Sequence, residues 1–138
     1  MLLLIDFSKA FDMVDHKILL HKLTHYGIRG VAHKWFDSYL KNRQQRVYVN
    51  NKYSDFKILT HGIPQGSILG PLLFIIYIND MPNIQKLVKF ILYADDANII
   101  LTGANAHEII LKFNELSKQL TDWVASNGLL LNIKKQIT

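Results

Sequence analysis

Three carboxylates stand where apolar stretches of this chain end. Asp6 closes the run at residues 2–5, and Asp95 and Asp96 follow the run at residues 90–93, with Ala94 between. Short runs this rich in Leu, Ile and aromatic residues read as buried strands. A carboxylate at the end of such a strand costs desolvation, and several close together repel one another. A divalent cation removes both penalties. Hard ions such as Mg²⁺ take oxygen ligands, typically a few carboxylates with substrate phosphates. Two such ions can activate an attacking hydroxyl and stabilise the leaving oxygen of an in-line phosphoryl displacement. Taken alone, Asp95-Asp96 is better explained as a polar hairpin turn, since acids are common turn residues, and Asp6 as a strand end or helix cap.

The remaining chain supplies a setting for these acids. Ile18, Leu19, Leu23 and Tyr26 recur at helical spacing, and Gly27 offers a stop. Val31, Trp35, Tyr39 and Leu40 predict a second helix ending near Asn42. The period then changes: residues 46–50 and 53–59 are β-rich around Asn50-Asn51, which predicts a hairpin. Residues 62–67 read as a loop leading into a largely apolar helix that runs to about Asp80. Residues 90–94 and 98–101 are short strands flanking Asp95-Asp96 at a tight hairpin. Ile109, Phe113, Leu116, Leu120 and Trp123 form the apolar stripe of a long helix closed by Asn127-Gly128, and residues 129–133 suggest a last strand. Interspersed helices and strands with an antiparallel hairpin place the chain in the α+β class.

Composition narrows the partners. A chain of 138 residues, 49% hydrophobic and 20% charged, suits one globular domain with a real core. Sixteen Lys and Arg against eleven Asp and Glu leave a net charge of +5. That excess suits a polyanion, and Arg43, Arg46, Lys52 and Lys57 cluster in sequence, although many mildly basic proteins never touch nucleic acid. Without cysteine there are neither disulfides nor thiolate metal sites, which is compatible with a reducing, intracellular setting. The most apolar stretch, residues 68–78, is too short for a membrane span and is interrupted by Gly70 and Pro71. Residues 1–5 are apolar but lack a preceding basic region, so they do not read as a signal peptide. His21 and His25 are four apart on the first helix. The acid that a zinc protease places between its histidines is missing, so no metal is expected there or at His16 and His33.

Against this background several motifs fall into a recognisable order. Tyr93-Ala94-Asp95-Asp96 is similar to the YxDD box of reverse transcriptases. Asp6-Phe7-Ser8-Lys9-Ala10-Phe11-Asp12, followed by Val14-Asp15-His16, resembles their first palm motif in the form used by non-LTR (LINE-type) retrotransposons. Gly62-Ile63-Pro64-Gln65-Gly66-Ser67, continuing through Gly70-Pro71 and Phe74 to Tyr77 and Asp80, resembles the second. Ser38-Tyr39-Leu40-Lys41-Asn42-Arg43, with Gln45 and Val47, is similar to the segment between those two. Gly128, Leu129, Leu131, Asn132 and Lys135 resemble the fourth motif. Together they cover essentially the whole chain.

The resemblance implies a polymerase palm over residues 1–138, a small antiparallel sheet covered by helices. It implies Asp6 and Asp95 as main ligands of two Mg²⁺ ions, which Mn²⁺ could replace, with Asp96 beside them. Phe11 falls where the family keeps a bulky side chain under the sugar of the incoming nucleotide, and its clash with a 2′-hydroxyl would favour deoxynucleotides. Pro64, Gln65 and Gly66 would form the loop beneath nucleotide and template base: glycine lets backbone approach a ligand, and Gln65 can reach sugar or base edges. Lys135 would lie near the phosphates and help neutralise or protonate departing pyrophosphate. Lys9, Arg43 and Arg46 would touch nucleic-acid backbone. The implied partners are an RNA or DNA template with its primer and a deoxynucleoside triphosphate, with no membrane. Each of these residues also has a plainer reading: Phe11 as core, the loop as punctuation before a helix, and the cations as solvated surface.

Family polymerases carry fingers before the first motif and a thumb after the last. Here five residues precede Asp6 and three follow Lys135, and Gln136 stands where a hydroxyl residue often follows the lysine. The expectation is a palm segment of a longer polyprotein, lacking most of its fingers and thumb. Three functions stay open: an RNA-directed DNA polymerase palm, an inactive remnant that at most binds metal or nucleic acid, and another palm-like phosphotransfer enzyme such as a nucleotide cyclase. The third gives no reason for Pro64-Gln65-Gly66 and Tyr93-Ala94-Asp95-Asp96 to occur together.

Overall fold

Alternation along the first strand organises the molecule. Leu3, Ile5 and Phe7 are buried while Leu2, Leu4 and Asp6 are only partly so, the period-two pattern of a strand with one covered face. The computed structural model describes residues 1–135, and side chains as far as Leu131; Gln136 lies outside the described residues. In chain order the elements are β1 (Leu2–Phe7), α1 (His16–His25), α2 (Gly30–Leu40), β2 (Gln44–Gln45), β3 (Tyr48–Val49), β4 (Lys52–Tyr53), β5 (Lys57–Ile58), α3 (Leu69–Ile78), β6 (Lys89–Tyr93), β7 (Asp96–Ile100), α4 (Ala106–Ser126) and β8 (Leu131–Lys135). Short 3-10 turns lie at Ala10–Asp12 and Met81–Ile84. The class is α+β, as expected.

Four strands form the main sheet in the order β6-β7-β1-β8, every pair antiparallel. Its covered face carries Leu3, Ile5, Phe7, Ala97 and Ile99, all buried. Leu116 and Leu120 of α4 share a small cavity with Leu3 and Ile5. Phe74 of α3 meets Phe7 edge-on, with ring centroids 6.1 Å apart. Full burial of core side chains such as Phe74 and Leu19 contributes about 1.5–3 kcal/mol each. The opposite face carries Leu2, Leu4, Asp6, Asp96 and Asn98, none of them buried.

Local signals set the helix ends. Asp15 caps α1 by accepting from the backbone N–H groups of Lys17 (2.7 Å) and Ile18 (3.0 Å). Asn105 caps α4 through the Glu108 N–H, while the Glu108 carboxylate reaches back to the Ala104 N–H, a variant of the capping box. Helix α3 stops at Ile78, short of the Asp80 expected. Lys22 of α1 donates to the Tyr77 carbonyl at 2.6 Å and to the Asp80 carboxylate at 2.7 Å, holding the last turn of α3. Burial holds the Lys22 ammonium below the usual lysine range, against the opposing pull of Asp80.

Two other boundaries differ from the sequence reading. The expected hairpin around Asn50-Asn51 is two short ladders, a tip of β3–β4 and a base of β2–β5. Asn50 and Asn51 both have positive φ (50° and 57°), as a two-residue hairpin turn of the I′ type requires. Between the ladders Val47 bonds to the Ser54 hydroxyl, so a side chain interrupts the regular pairing. The last strand starts at Leu131 rather than 129, because the Leu129 N–H is spent closing α4 on the Val124 carbonyl. Among the described residues no helix is long and apolar enough to cross a membrane.

Candidate active site

Strand register puts two of the three acids face to face. Asp6 of β1 pairs directly with Asp96 of β7, and Asp96 in turn with Tyr93 of β6. Directly opposed residues of an antiparallel pair project from the same face, so Tyr93, Asp96 and Asp6 form one row on the uncovered side of the sheet. Asp6 is half-buried and Asp96 exposed, and both line a cavity of about 360 Å³ with Leu4, Ile5 and Asn98. Like charges directly opposed across strands destabilise a sheet. Among the described residues neither carboxylate forms an ion pair.

Asp95 takes a different place. The turn between β6 and β7 consists of Ala94 and Asp95 alone, closed by the Tyr93–Asp96 pair, so Asp96 belongs to the strand and not to the turn. Ala94 adopts φ 50°, unusual for a residue with a Cβ, because two-residue hairpins need positive φ. The Phe7 N–H donates to the Asp95 carbonyl at 3.4 Å, tying this turn to the end of β1. The half-buried Asp95 lines a second cavity, of about 340 Å³, with Phe7, Lys9, Phe11, Pro64, Gln65 and Gly66. The structure thus gathers Asp95, Phe11 and the Pro64-Gln65-Gly66 loop around one cavity and sets Asp6 with Asp96 in its neighbour. Among the described residues no three His, Asp or Glu side chains converge as a metal cluster. The Asp6–Asp96 pair fits a Mg²⁺ ion by its chemistry: hard oxygen donors, uncompensated charge, and open space for phosphate ligands.

The loop is stitched in place from both sides. Gln65 donates to the Asp12 carboxylate at 3.1 Å. The Ser67 hydroxyl donates to the Pro64 carbonyl at 2.8 Å and accepts from the Gly70 N–H at 2.9 Å. Gly70 is there because α3 passes so close that a Cβ would lie 2.7 Å from the Pro64 carbonyl oxygen. Phe11 stacks on Phe74 (5.1 Å between centroids, 28° between planes) while its partly buried ring still reaches the cavity, so its packing and its exposure coexist. A third cavity, of about 590 Å³, continues past Lys9 and Gln65 to Arg43, Gln45 and His61.

The sequence matches the profile of the family described as reverse transcriptase (RNA-dependent DNA polymerase) over residues 1–137. The chain belongs to that family. Among its relatives, the probable RNA-directed DNA polymerase from transposon BS of Drosophila melanogaster is 32% identical over 146 residues, covering 96% of this chain. The RNA-directed DNA polymerase from mobile element jockey of Drosophila funebris is 28% identical over 138 residues, 95% of this chain. The probable RNA-directed DNA polymerase from transposon X-element of Drosophila melanogaster is 27% identical over 143 residues, 96% of this chain. The chain spans 15% of the length of each of these three proteins. The resemblance to non-LTR reverse transcriptases read from the motifs is thereby borne out.

The other residues singled out in this reverse transcriptase chain are scattered around the cavities. Lys9 is exposed, has φ 50°, and borders both the second and third cavities. Arg43 is half-buried, with one guanidinium nitrogen 3.5 Å from the Gly62 carbonyl. Arg46 lies on the hairpin instead, its guanidinium carbon 3.7 Å from the Tyr53 ring centroid and 4.7 Å from that of Phe56. Lys135 is in β8 opposite Leu3, and its side chain lies outside the described residues. His21 and His25 are both exposed.

Sequence reasoning missed three participants. Asp12 and His16 hold the loop but were read only as motif letters, and His61, which pairs with Asp15 beside them, carried no signal at all, since their partners are some 46 to 53 residues away. Tyr77 was read only as a motif letter, yet its hydroxyl donates to the Asn127 carbonyl at 2.6 Å and accepts from the Asp15 N–H at 3.4 Å. Burial, ahead of the nearby Asp15 and Asp80 charges, pushes that phenol up to about 12 even though the bond from Asp15 pulls the other way.

Proposed function

We propose that this chain is the palm of an RNA-directed DNA polymerase, joining deoxynucleotides to a primer 3′-hydroxyl on an RNA or DNA template. The observation that carries the proposal is the unneutralised Asp6–Asp96 pair on the open sheet face, one turn from Asp95 and the Phe11–Gln65 cavity. A pair of like charges that weakens the sheet is explained if its partner is a cation and a phosphate chain.

In the reaction, the primer 3′-oxygen attacks the α-phosphorus of the triphosphate, the bond to the β-phosphate oxygen breaks, and pyrophosphate leaves. Asp6, Asp95 and Asp96 would hold two Mg²⁺ ions, or Mn²⁺ in their place. When bound, these lower the barrier by activating the hydroxyl and offsetting charge on the phosphoryl oxygens. The residues of the chain do the positioning, which is most of what phosphoryl transfer asks of a protein. Phe11 would lie under the sugar and exclude a 2′-hydroxyl. Pro64, Gln65 and Gly66 would support the base pair being formed, and Lys135 would neutralise the leaving pyrophosphate. Lys9 and Arg43 would hold phosphates at the cavities, with Arg46 further out along the template. Template sequence is copied by base pairing, so the protein needs only backbone charge and stacking to hold the strand. Fingers and thumb would come from other parts of a longer polyprotein.

Primer extension tests this reading. In a longer polyprotein that supplies fingers and thumb, oligo(dT) on poly(rA), dTTP and Mg²⁺ or Mn²⁺ should give product that Asp6→Asn abolishes. A folded polyprotein that neither extends primer nor binds dTTP would make this chain the inactive remnant instead.

A further inference from the structure

His16 opens α1, yet its ring is directed away from solvent and is only 8% exposed. Its Nε2 lies 2.7 Å from the Gly62 carbonyl oxygen. A carbonyl can only accept, so that nitrogen carries the proton and the imidazole is the donor. Around this bond the segment before the nucleotide loop lies along the segment before α1. The Gly62 N–H donates to the Val14 carbonyl (2.8 Å), the Ile63 N–H to that of Phe11 (2.9 Å), and the His16 N–H to that of Thr60 (3.3 Å). The pairing is reciprocal. One step back on each strand, His61 Nε2 stands 3.3 Å from the Asp15 carboxylate, whose other oxygen caps α1.

Gly62 lies in the left-handed region, φ +85°, and a Cβ there would meet the Asp12 carbonyl oxygen at 3.3 Å. Its peptide plane therefore takes an orientation that few residues allow, and the His16 donor holds the carbonyl of that plane. Immediately beyond, among the described residues, Gln65 and Gly66 make no backbone hydrogen bond of their own. Their place at the cavity depends on the Gln65 side-chain bond to Asp12 and on what grips the chain on either side: Ser67 and Gly70 downstream, and the Ile63 N–H and the Gly62 carbonyl upstream.

We propose that His16 is a positioning residue of the nucleotide loop: by holding the Gly62 carbonyl it sets where Pro64, Gln65 and Gly66 stand in the cavity they share with Phe11 and Asp95. The loop's role in nucleotide binding rests on the polymerase reading above; the clasp itself does not. Three variants separate the effects. His16→Leu keeps bulk without a donor, His16→Gln keeps an amide N–H within reach of the carbonyl, and His61→Ala removes only the outer pair.

Two readouts follow, both on this chain. The first is amide exchange by NMR without any nucleotide. His16→Leu should speed exchange at Gly62 and Ile63 by about tenfold or more while Ile99 and Leu120 keep their wild-type rates, and His16→Gln should stay within about twofold. Unchanged exchange at Gly62 and Ile63 in His16→Leu, or acceleration throughout the chain, would overturn the clasp. The second is dTTP affinity by titration. His16→Leu should weaken it by about tenfold or more with His16→Gln and His61→Ala near wild type, since a misplaced support shifts the bound geometry. Loosened exchange with unchanged dTTP affinity would overturn the positioning role. A wild-type chain that binds no dTTP, yet shows the selective loosening, would sink the polymerase reading and leave the clasp standing.

Discussion

Neutralising either Asp6 or Asp96 should make this chain more stable. Opposed side chains in an antiparallel pair stand about 5 Å apart. Asp96 is exposed, so the water-like limit applies, and two unit charges at that distance repel by about 0.8 kcal/mol. Asp6→Asn and Asp96→Asn should each add about that much at neutral pH and low salt, raising Tm by roughly 2–3 °C for a domain of this size. The double variant should gain no more than either single one, because the repulsion can be removed only once. At 1 M salt the screening length is about 3 Å and the coupling should nearly vanish. Urea unfolding of the four proteins in 10 mM and 1 M salt measures all of this. Additive single effects, or a gain that persists at high salt, would refute the reasoning, since either would mean that the carboxylates do not face one another.

Gly70→Ala should destabilise by about 1–3 kcal/mol, because its Cβ would meet backbone at 2.7 Å and that backbone carries Pro64. Urea midpoints read the loss, and dTTP affinity should fall with it. Tyr77 ties α3 to the end of α4, and its folded phenol is raised to about 12, so its contribution is complete below pH 10 and fades as pH climbs from 10 to about 12. Unfolding curves across that window should therefore fall more steeply for wild type than for Tyr77→Phe. Arg46→Ala should weaken single-stranded RNA binding by about tenfold and lower the salt slope by about one ion, as loss of one phosphate contact requires. Fluorescence anisotropy at several salt concentrations measures both.

Much of the fold was legible because the apolar runs are strong and end abruptly. The apolar run at residues 2–5 and the spacing from Ile109 to Trp123 predict their elements without any tertiary help. What the acids do to one another was not legible. Whether Asp6 faces Asp95 or Asp96 is decided by one residue of turn length, and Ala94 with positive φ is a residue that turn preferences do not select. The hairpin at residues 46–59 was predicted whole, yet the Ser54 hydroxyl breaks it into two ladders. Nothing in the sequence marks Lys22 among the cations of α1, because Tyr77 and Asp80 reach it only in the folded chain. His16 shows the same limit from the functional side: its motif position was visible, whereas its partner Gly62 is defined only once α1 and the loop pack together.

The most direct test of the account is where a divalent ion binds. Mn²⁺ titrated into the ¹⁵N-labelled chain should broaden the amides of Phe7, Asp95, Asp96 and Ala97 first, and Asp6→Asn should remove that broadening while leaving the rest of the spectrum unchanged. Broadening centred elsewhere, or broadening at these amides that survives both Asp6→Asn and Asp96→Asn, would contradict the assignment of these aspartates as the metal-holding centre of a polymerase palm.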